Sequence, residues 1–432
     1  MKFGFSPAQR VYEKLMHHRY GLSMAIYILA AILTGAGCVL FMRSFEWVYA
    51  HRITPDRSGD WAWVTTPLLF LLSIEIIRRI SPLADGAGIP QTISAARHLD
   101  EKTFARLYPL VSFRTLWVKV SAILLGLWAG ASTGREGPTV HIAACLFFSL
   151  TLILHRLCRI PFNMRSAVIA GGSAGLAAAF NTPLAGVTFA IEELSSDYFS
   201  SIKEMVLMAI IIAGLAAKTL TGDYVYFGRL ASPEEVGVPA VLSVSLLCGL
   251  MGAVFSTLLI WGRRRTAALR GAWRVAVVVL LSWVLLALIS SGMDGIAGPG
   301  NIAAQRYVRG HLDQHPLTFF ATKITATLCT YWSGIAGGIF APCLSMGSGL
   351  GAWVGSILQQ PVAMCGIMGM AAFLAAAIQA PITAFVIIYE MTGHHAALLP
   401  VMLASLLGYM TSRALRTPHL YRTLAELYDG QR

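Results

Sequence analysis

LAAAFNTPLAGVTFAIE at residues 176–192 returns as LAAAIQAPITAFVIIYE at residues 374–390, without a gap. Leu176 falls on Leu374, Pro183 on Pro381 and Glu192 on Glu390. Each copy is apolar, broken by one proline and closed by a carboxylate. Proline interrupts a helix except in its first turn, where the missing N–H has no partner to lose. A repeat of proline-broken apolar segments, spaced about half the chain apart, points to a membrane transport protein made of two related halves. The binding site is then expected where broken helices of the two halves meet.

Composition agrees. Of 432 residues, 56% are hydrophobic and 12% charged, and the mean hydropathy is +0.65. Apolar runs fill 22–42, 63–77, 116–131, 205–220, 241–260, 275–289 and the stretch ending at 400–410. Some approach the roughly 20 residues that span a bilayer and others are too short. Short segments need protein or water around their backbone. One polytopic membrane domain over 1–432 follows, with a first repeat at 20–220, a second at 240–413 and a short cytoplasmic helix at 414–432. The net charge of +12 is carried largely by loops. Lys2, Arg10, Lys14 and Arg19, and the cluster of Arg263, Arg264, Arg265, Arg270 and Arg274, are placed in the cytoplasm by the positive-inside rule. Lipid headgroups, not nucleic acid, are the expected partners of this charge. The acidic loop 223–235 is expected outside, and His394 and His395 in a loop. No cleaved leader is expected, because the first apolar run is long and lacks a small-residue cleavage pattern. Seven scattered cysteines form no C-x-x-C, so neither a disulfide framework nor a zinc site is expected.

Three Gly/Pro motifs stand where apolar helices would begin: GAGIP at 86–90, GREGP at 134–138 and GGIFAP at 337–342. Glycine lets the backbone turn and approach a ligand closely. A helix start offers unpaired N–H groups and the positive end of the helix dipole. Several such starts converging would hold an anion without a full cationic charge. Weak, distributed binding suits a transported ion, which must also leave.

Glu136 falls inside the second motif. A carboxylate in an apolar region is costly and usually functional. Ionised, it can occupy an anion site; protonated, it can swing away and admit the true anion. The competing reading is a buried glutamate paired with Arg135 or Lys119. Glu192 and Glu193 close the first repeat copy and, as neighbours, point in different directions. Only Glu192 is repeated, because Met391 stands at the place of Glu193. That leaves Glu193 as the asymmetric residue, unless both are solvated at a helix end. GGSAG at 171–175 satisfies the G-x-S-x-G hydrolase pattern, but its flanks read as helix, not strand.

These motifs resemble those of the CLC chloride channels and chloride/proton antiporters, from about residue 20 to 428. The resemblance rests on GREGP, GGIFAP, the GAGIP variant and AAAFNTPLAGVTFAIEE at 177–193. It implies an all-α membrane fold of two antiparallel, inverted repeats of tilted and broken helices, present as a homodimer in the cell (inner) membrane with both termini cytoplasmic. It further implies that Glu136 is the external gate and Glu193 the internal proton-transfer residue. The anion would be held by Ala87, Gly88, Ile339, Phe340 and the Tyr421 hydroxyl. Dimer contacts would come from 183–193, 205–220 and 381–410. Two departures stand out. Ala87 replaces the serine usual in chloride-selective members, and Gln91 stands where a carboxylate is common. Pro138 and Tyr421 follow the chloride pattern more than the fluoride branch. The short chain after 428 suits a prokaryotic form without cytosolic nucleotide-binding domains.

The function expected is therefore proton-coupled anion (chloride) antiport, not enzymatic, with no metal or organic cofactor. Its partners are chloride, protons, lipid and a second copy of the chain. Three alternatives are weighed against it: a passive voltage- or proton-gated chloride channel on the same fold, an intramembrane hydrolase using Ser173, and a cation-coupled carrier.

Overall fold

The computed structural model describes residues 7–195, 204–222, 226–227, 235–393 and 397–429. His394, His395, Lys2 and most of the acidic loop 223–235 lie outside the described residues. Leaving short turns aside, the first half carries α1 (Pro7–Ala50), α2 (Ala62–Ile80), α3 (Ile89–His98), α4 (Phe113–Trp128), α5 (Glu136–Cys158), α6 (Met164–Phe180), α7 (Pro183–Phe189) and α8 (Glu204–Thr221). The second half carries α9 (Val238–Ala267), α10 (Gly271–Ile289), α11 (Asn301–Val308), α12 (Pro316–Ser333), α13 (Phe340–Ile357), α14 (Val362–Ile378), α15 (Pro381–Thr392) and α16 (Leu398–Ala414). A short helix, α17 (Leu420–Asp429), follows. The one β-type pairing among the described residues is a bridge between Gly134 and Gly338.

Among the described residues, seven segments are long and apolar enough to cross a membrane: Arg19–Ala50, Gly59–Ile80, Phe104–Trp128, Glu136–Cys158, Glu204–Thr221, Val238–Ala267 and Gly271–Ile289. Leu29, Leu40, Trp273 and Leu280 on these helices are exposed, as a lipid-facing surface requires. The shorter α6 and α14 are buried along almost their whole length. Their Gly and Ala residues let neighbouring backbones come close. A Cβ added at Gly175 would stand 2.7 Å from the Thr139 carbonyl oxygen of α5.

The two halves agree in local chemistry as well as order. α2 and α10 each have 19 residues, and α6 and α14 each have 17. The approach to α3 uses Gly86 and Gly88 at φ 58° and 93°; the approach to α11 uses Gly298 and Gly300 at 66° and 83°. Both pairs adopt backbone that side chains disfavour. Each approach is held by one buried lysine. Lys119 of α4 donates to the carbonyls of Ala84, Asp85 and Gly86 at 3.0, 2.8 and 2.8 Å. Lys323 of α12 donates to those of Ile296 and Gly298 at 3.0 and 2.7 Å. Lys119 is thus engaged with backbone, not with Glu136, and that competing sequence reading falls.

The repeated stretch explains how the halves lock together. Glu192 accepts from the N–H groups of Ile382 and Thr383 at 3.1 and 2.7 Å, in the first turn of α15. Glu390 accepts from Leu184 and Ala185 at 3.1 and 2.7 Å, in the first turn of α7. Each copy ends by capping the start of the other, so the two segments lie side by side and antiparallel. The pair is therefore not a solvated helix end. The copies differ at one point: α7 passes into a π-helical turn, Ala190–Leu194, while α15 stays α-helical to Thr392. A π turn inserts extra backbone and redirects the following side chain. Here it leaves Glu192 on the cap and turns Glu193 into the core.

The caps yield a stability prediction. Glu390→Ala leaves two first-turn N–H groups without their acceptor, a loss on the order of 2 kcal/mol. Thermal melting in detergent should show a lower midpoint than for the parent protein. An unchanged midpoint would show that the exchange of caps adds no stability.

Ser173 lies inside α6, fully buried and with helix on both sides. A nucleophile elbow needs a strand before the serine. The hydrolase alternative has no such context here.

Candidate functional site

The three Gly/Pro motifs meet one another directly. Gly134 N–H donates to Gly338 O at 2.9 Å, and Gly338 N–H returns a bond to Gly134 O at 3.1 Å. Gly337 N–H donates to Gly86 O at 3.1 Å. A Cβ added at Gly137 would stand 2.9 Å from Ala87 O and 3.4 Å from the Gly338 Cα. Only glycine allows this approach of three backbones. The helices that start here are α3, with Pro90 in its first turn, α5, with Pro138, and α13, with Pro342. The first-turn N–H groups of Glu136, Gly137, Phe340 and Ala341 have no intrahelical acceptor. They form a shared electropositive focus in the protein interior.

Glu136 is the first residue of α5 and is fully buried. Its Oε1 accepts from the Tyr226 hydroxyl at 3.1 Å. Its Oε2 has no hydrogen-bond donor among the described residues. The carboxylate folds back over Gly134, where an added Cβ would stand 2.5 Å from Oε2. Arg135 Nε is 4.0 Å from Oε1, but the closer ion pair of Arg135 is with Glu46 of α1. Arg135 is therefore shared, and the reading of Glu136 as a simple partner of Arg135 is not what the geometry gives. In the second half the place of Glu136 is taken by Phe340, since Pro138 corresponds to Pro342.

Phe340 and Tyr421 stack, with ring centroids 6.0 Å apart and planes 14° apart. Tyr421, on α17, is fully buried and its hydroxyl has no partner among the described residues. It stands within electrostatic reach of both Glu136 and Glu193. Its helix is tied to the approach of α3. Tyr428 O–H donates to Asp85 Oδ1 at 2.7 Å, and Ser94 O–H donates to Asp429 Oδ1 at 2.5 Å. Asp85 also pairs with Arg263 of α9. Gln91 donates to the carbonyls of Leu83 and Asp85 at 3.1 and 2.6 Å. Gln91 thus ties the first turns of α3 back to the loop that carries Asp85. Ala87 has no hydroxyl to offer, but the Tyr331 hydroxyl of α12 faces its backbone N–H.

Glu193 is fully buried, and neither oxygen has a hydrogen-bond partner among the described residues. His419 Nε2 lies 3.9 Å from Oε2, and Arg422, Arg97 and Glu192 act on the carboxylate from farther away. Of the residues singled out in the sequence, Ala87, Gly88, Glu136, Ile339, Phe340 and Tyr421 gather around one focus. Glu193 stands apart on its π turn, within electrostatic reach of Tyr421. Tyr226, Asn301, Tyr331, Asp85 and His419 were not singled out. No group of His, Cys, Asp and Glu among the described residues has metal-holding geometry.

Comparison with known proteins agrees with this architecture. The family described as voltage gated chloride channel matches residues 68–413. The chain is 31% identical over 439 aligned positions to an H(+)/Cl(-) exchange transporter ClcA of Salmonella arizonae, covering 93% of this chain and 88% of the relative. A relative with the same description from Salmonella newport is 30% identical over the same shares. Among solved structures, a slow cyanobacterial Cl-/H+ antiporter matches with a TM-score of 0.81 at 24% identity, over 95% of this chain and 99% of that one. A CLC-type fluoride/proton antiporter matches with a TM-score of 0.75 at 18% identity, over 93% and 97%.

Proposed function

The chain belongs to the voltage gated chloride channel family, and on that premise we propose that this multi-pass membrane protein exchanges chloride for protons. The observation that supports it most is the meeting of three helix starts around one fully buried carboxylate, Glu136. In this reading Ala87, Gly88, Ile339 and Phe340 supply backbone around the anion and Tyr421 adds its hydroxyl. Glu136 closes the external side when ionised, taking the place of chloride, and opens it on taking up a proton. Glu193 passes that proton to or from the cytoplasm. Chloride and proton then cannot both move freely, because one carboxylate responds to both.

The two repeats are proposed as 20–220 and 240–413, inverted relative to each other, with 414–432 and both termini on the cytoplasmic side of the inner membrane. Leu184, Ile211, Leu215, Ile382, Leu403 and Leu406 form an exposed apolar face on α7, α8, α15 and α16. A second copy of the chain is the proposed cover for that face. Mass measurement in detergent should then give twice the 46.6 kDa of one chain; a single-chain mass would remove the dimer.

The deciding experiment places purified protein in sealed vesicles with a chloride gradient and no pH gradient. Protons should move uphill as chloride runs down. Chloride flux without any proton movement would overturn the antiport reading and leave a passive channel. Repeating the assay with nitrate and fluoride measures what the Ala87 and Tyr331 arrangement selects.

A further inference from the structure

Tyr226 lies in the connection between α8 and α9, and its side chain reaches the gating carboxylate. Its hydroxyl donates to Glu136 Oε1 at 3.1 Å. The same oxygen accepts from the Asn301 side-chain amide. An oxygen that receives one hydrogen bond from an amide has its own proton left for the carboxylate. Asn301 therefore sets the direction in which the phenol donates.

The surroundings hold Tyr226 in place. Its carbonyl accepts from Gln305 Nε2 at 2.9 Å. The next residue, Phe227, donates its N–H to Met391 O of α15 at 3.3 Å. The Tyr226 ring meets the Phe180 ring edge-on at 5.6 Å, and the Arg135 guanidinium lies 5.7 Å from its centroid. Tyr226 is buried, as Glu136 is. A neutral donor fixed against a buried ionised carboxylate makes a strong, charge-assisted bond.

Asn301 and Gln305 both belong to α11, the counterpart of α3 in the second half. The start of α3 brings Gly88 and Ala87 to the anion site from one side. If the halves are inverted, the start of α11 faces the opposite side. Two of its residues grip Tyr226, Asn301 at the hydroxyl and Gln305 at the carbonyl. The repeated element has been turned from holding the ion to holding the gate.

We propose that Tyr226 is a positioning residue of the gate: its hydroxyl, oriented by Asn301, holds Glu136 in the blocking position and slows its release to the outside. This rests on Glu136 being the external gate. Among the described residues, the charged and titratable groups facing Glu136 are Arg135 at the cap of its helix, Glu46 of α1 through Arg135, Tyr421 of α17 and Tyr226 itself. Backbone N–H groups of Glu136 and Ala341 face it as well. Of the side chains among these, Tyr226 is the one whose neutral hydroxyl bonds the carboxylate, and Phe removes that donor without changing a charge.

The test is Tyr226→Phe in vesicles with chloride and proton fluxes recorded together. Chloride turnover at neutral pH should rise several-fold. The dependence on external pH should move upward by about one unit, because a bond favouring the ionised carboxylate has been lost. The dependence on internal pH and the exchange ratio should stay as in the parent. Asn301→Ala should shift the external profile the same way by less. In a Glu136→Gln background, Tyr226→Phe should change nothing. Turnover unchanged or lowered, an unmoved external profile, or an equal effect in the Glu136→Gln background would each overturn the proposal. The Glu136→Gln protein alone tests the gate itself: if it still couples protons, the gate reading fails. If it uncouples while Tyr226→Phe behaves as the parent, the latch alone fails.

Discussion

Glu136→Gln is expected to abolish proton movement while chloride flux continues. Glutamine keeps the shape of the side chain and its hydrogen-bonding reach. It can neither bind a transported proton nor present a negative charge to the helix starts of α5 and α13. The site then loses its internal competitor, and chloride is no longer displaced by a carboxylate. Removing a group that transfers protons lowers proton flux by about 10²-fold or more. Chloride flux should also lose its dependence on external pH, because nothing at the gate titrates. Simultaneous chloride and pH recording from sealed vesicles measures both. Proton uptake at the parent ratio in Glu136→Gln would mean that coupling runs through another residue. Retained external pH dependence with lost coupling would mean that Glu136 carries protons but is not the gate. The structural basis is specific. Glu136 is fully buried, its Oε2 has no donor among the described residues, and its nearest cation is engaged by Glu46.

Much of this site was legible because the chemistry that builds it is written in backbone-forming residues. Gly134, Gly137, Gly337 and Gly338 stand where backbones cross, and Pro138 and Pro342 mark helix starts, so the meeting of α5 with α13 could be read from residue type alone. The repeat gave the pairing of Glu192 with Glu390, and the break in that repeat at Met391 singled out Glu193. What the repeat could not give is the partner of each carboxylate: mutual capping of α7 and α15 needs three dimensions. The π turn of Ala190–Leu194 has no composition signal, since the same residues would suit an ordinary helix. Tyr226 was hidden for a different reason. It lies in a connection without periodicity, and its role depends on contact with α11, whose sequence is polar and short. Lys119 did carry a signal, a lysine in an apolar run, but its role was missed. The matching Lys323, also within an apolar helix, was the clue. Two buried lysines at matching places serve the shared frame of the halves, whereas a gate partner would be expected once.

Glu193→Gln is the second large effect, and it should differ from Glu136→Gln in one respect. Proton flux should again fall by about 10²-fold or more, because the proposed internal transfer step loses its carboxylate. Chloride should still pass, since neither oxygen of Glu193 hydrogen-bonds to the three helix starts among the described residues. The dependence on external pH should survive, because Glu136 and its Tyr226 contact remain. Glu193 suits a transfer role and not a structural one. It is fully buried, and neither oxygen has a hydrogen-bond partner among the described residues. Its neighbour Glu192 spends both oxygens on the start of α15. Two adjacent carboxylates are thus divided between a cap and the proposed carrier by one π turn. Glu192→Gln provides the contrast: it should lower stability and leave the exchange ratio alone. If Glu193→Gln exchanges protons at the parent ratio, the internal transfer must run elsewhere. The partly exposed His419, 3.9 Å from Glu193 Oε2, would then be the first group to replace.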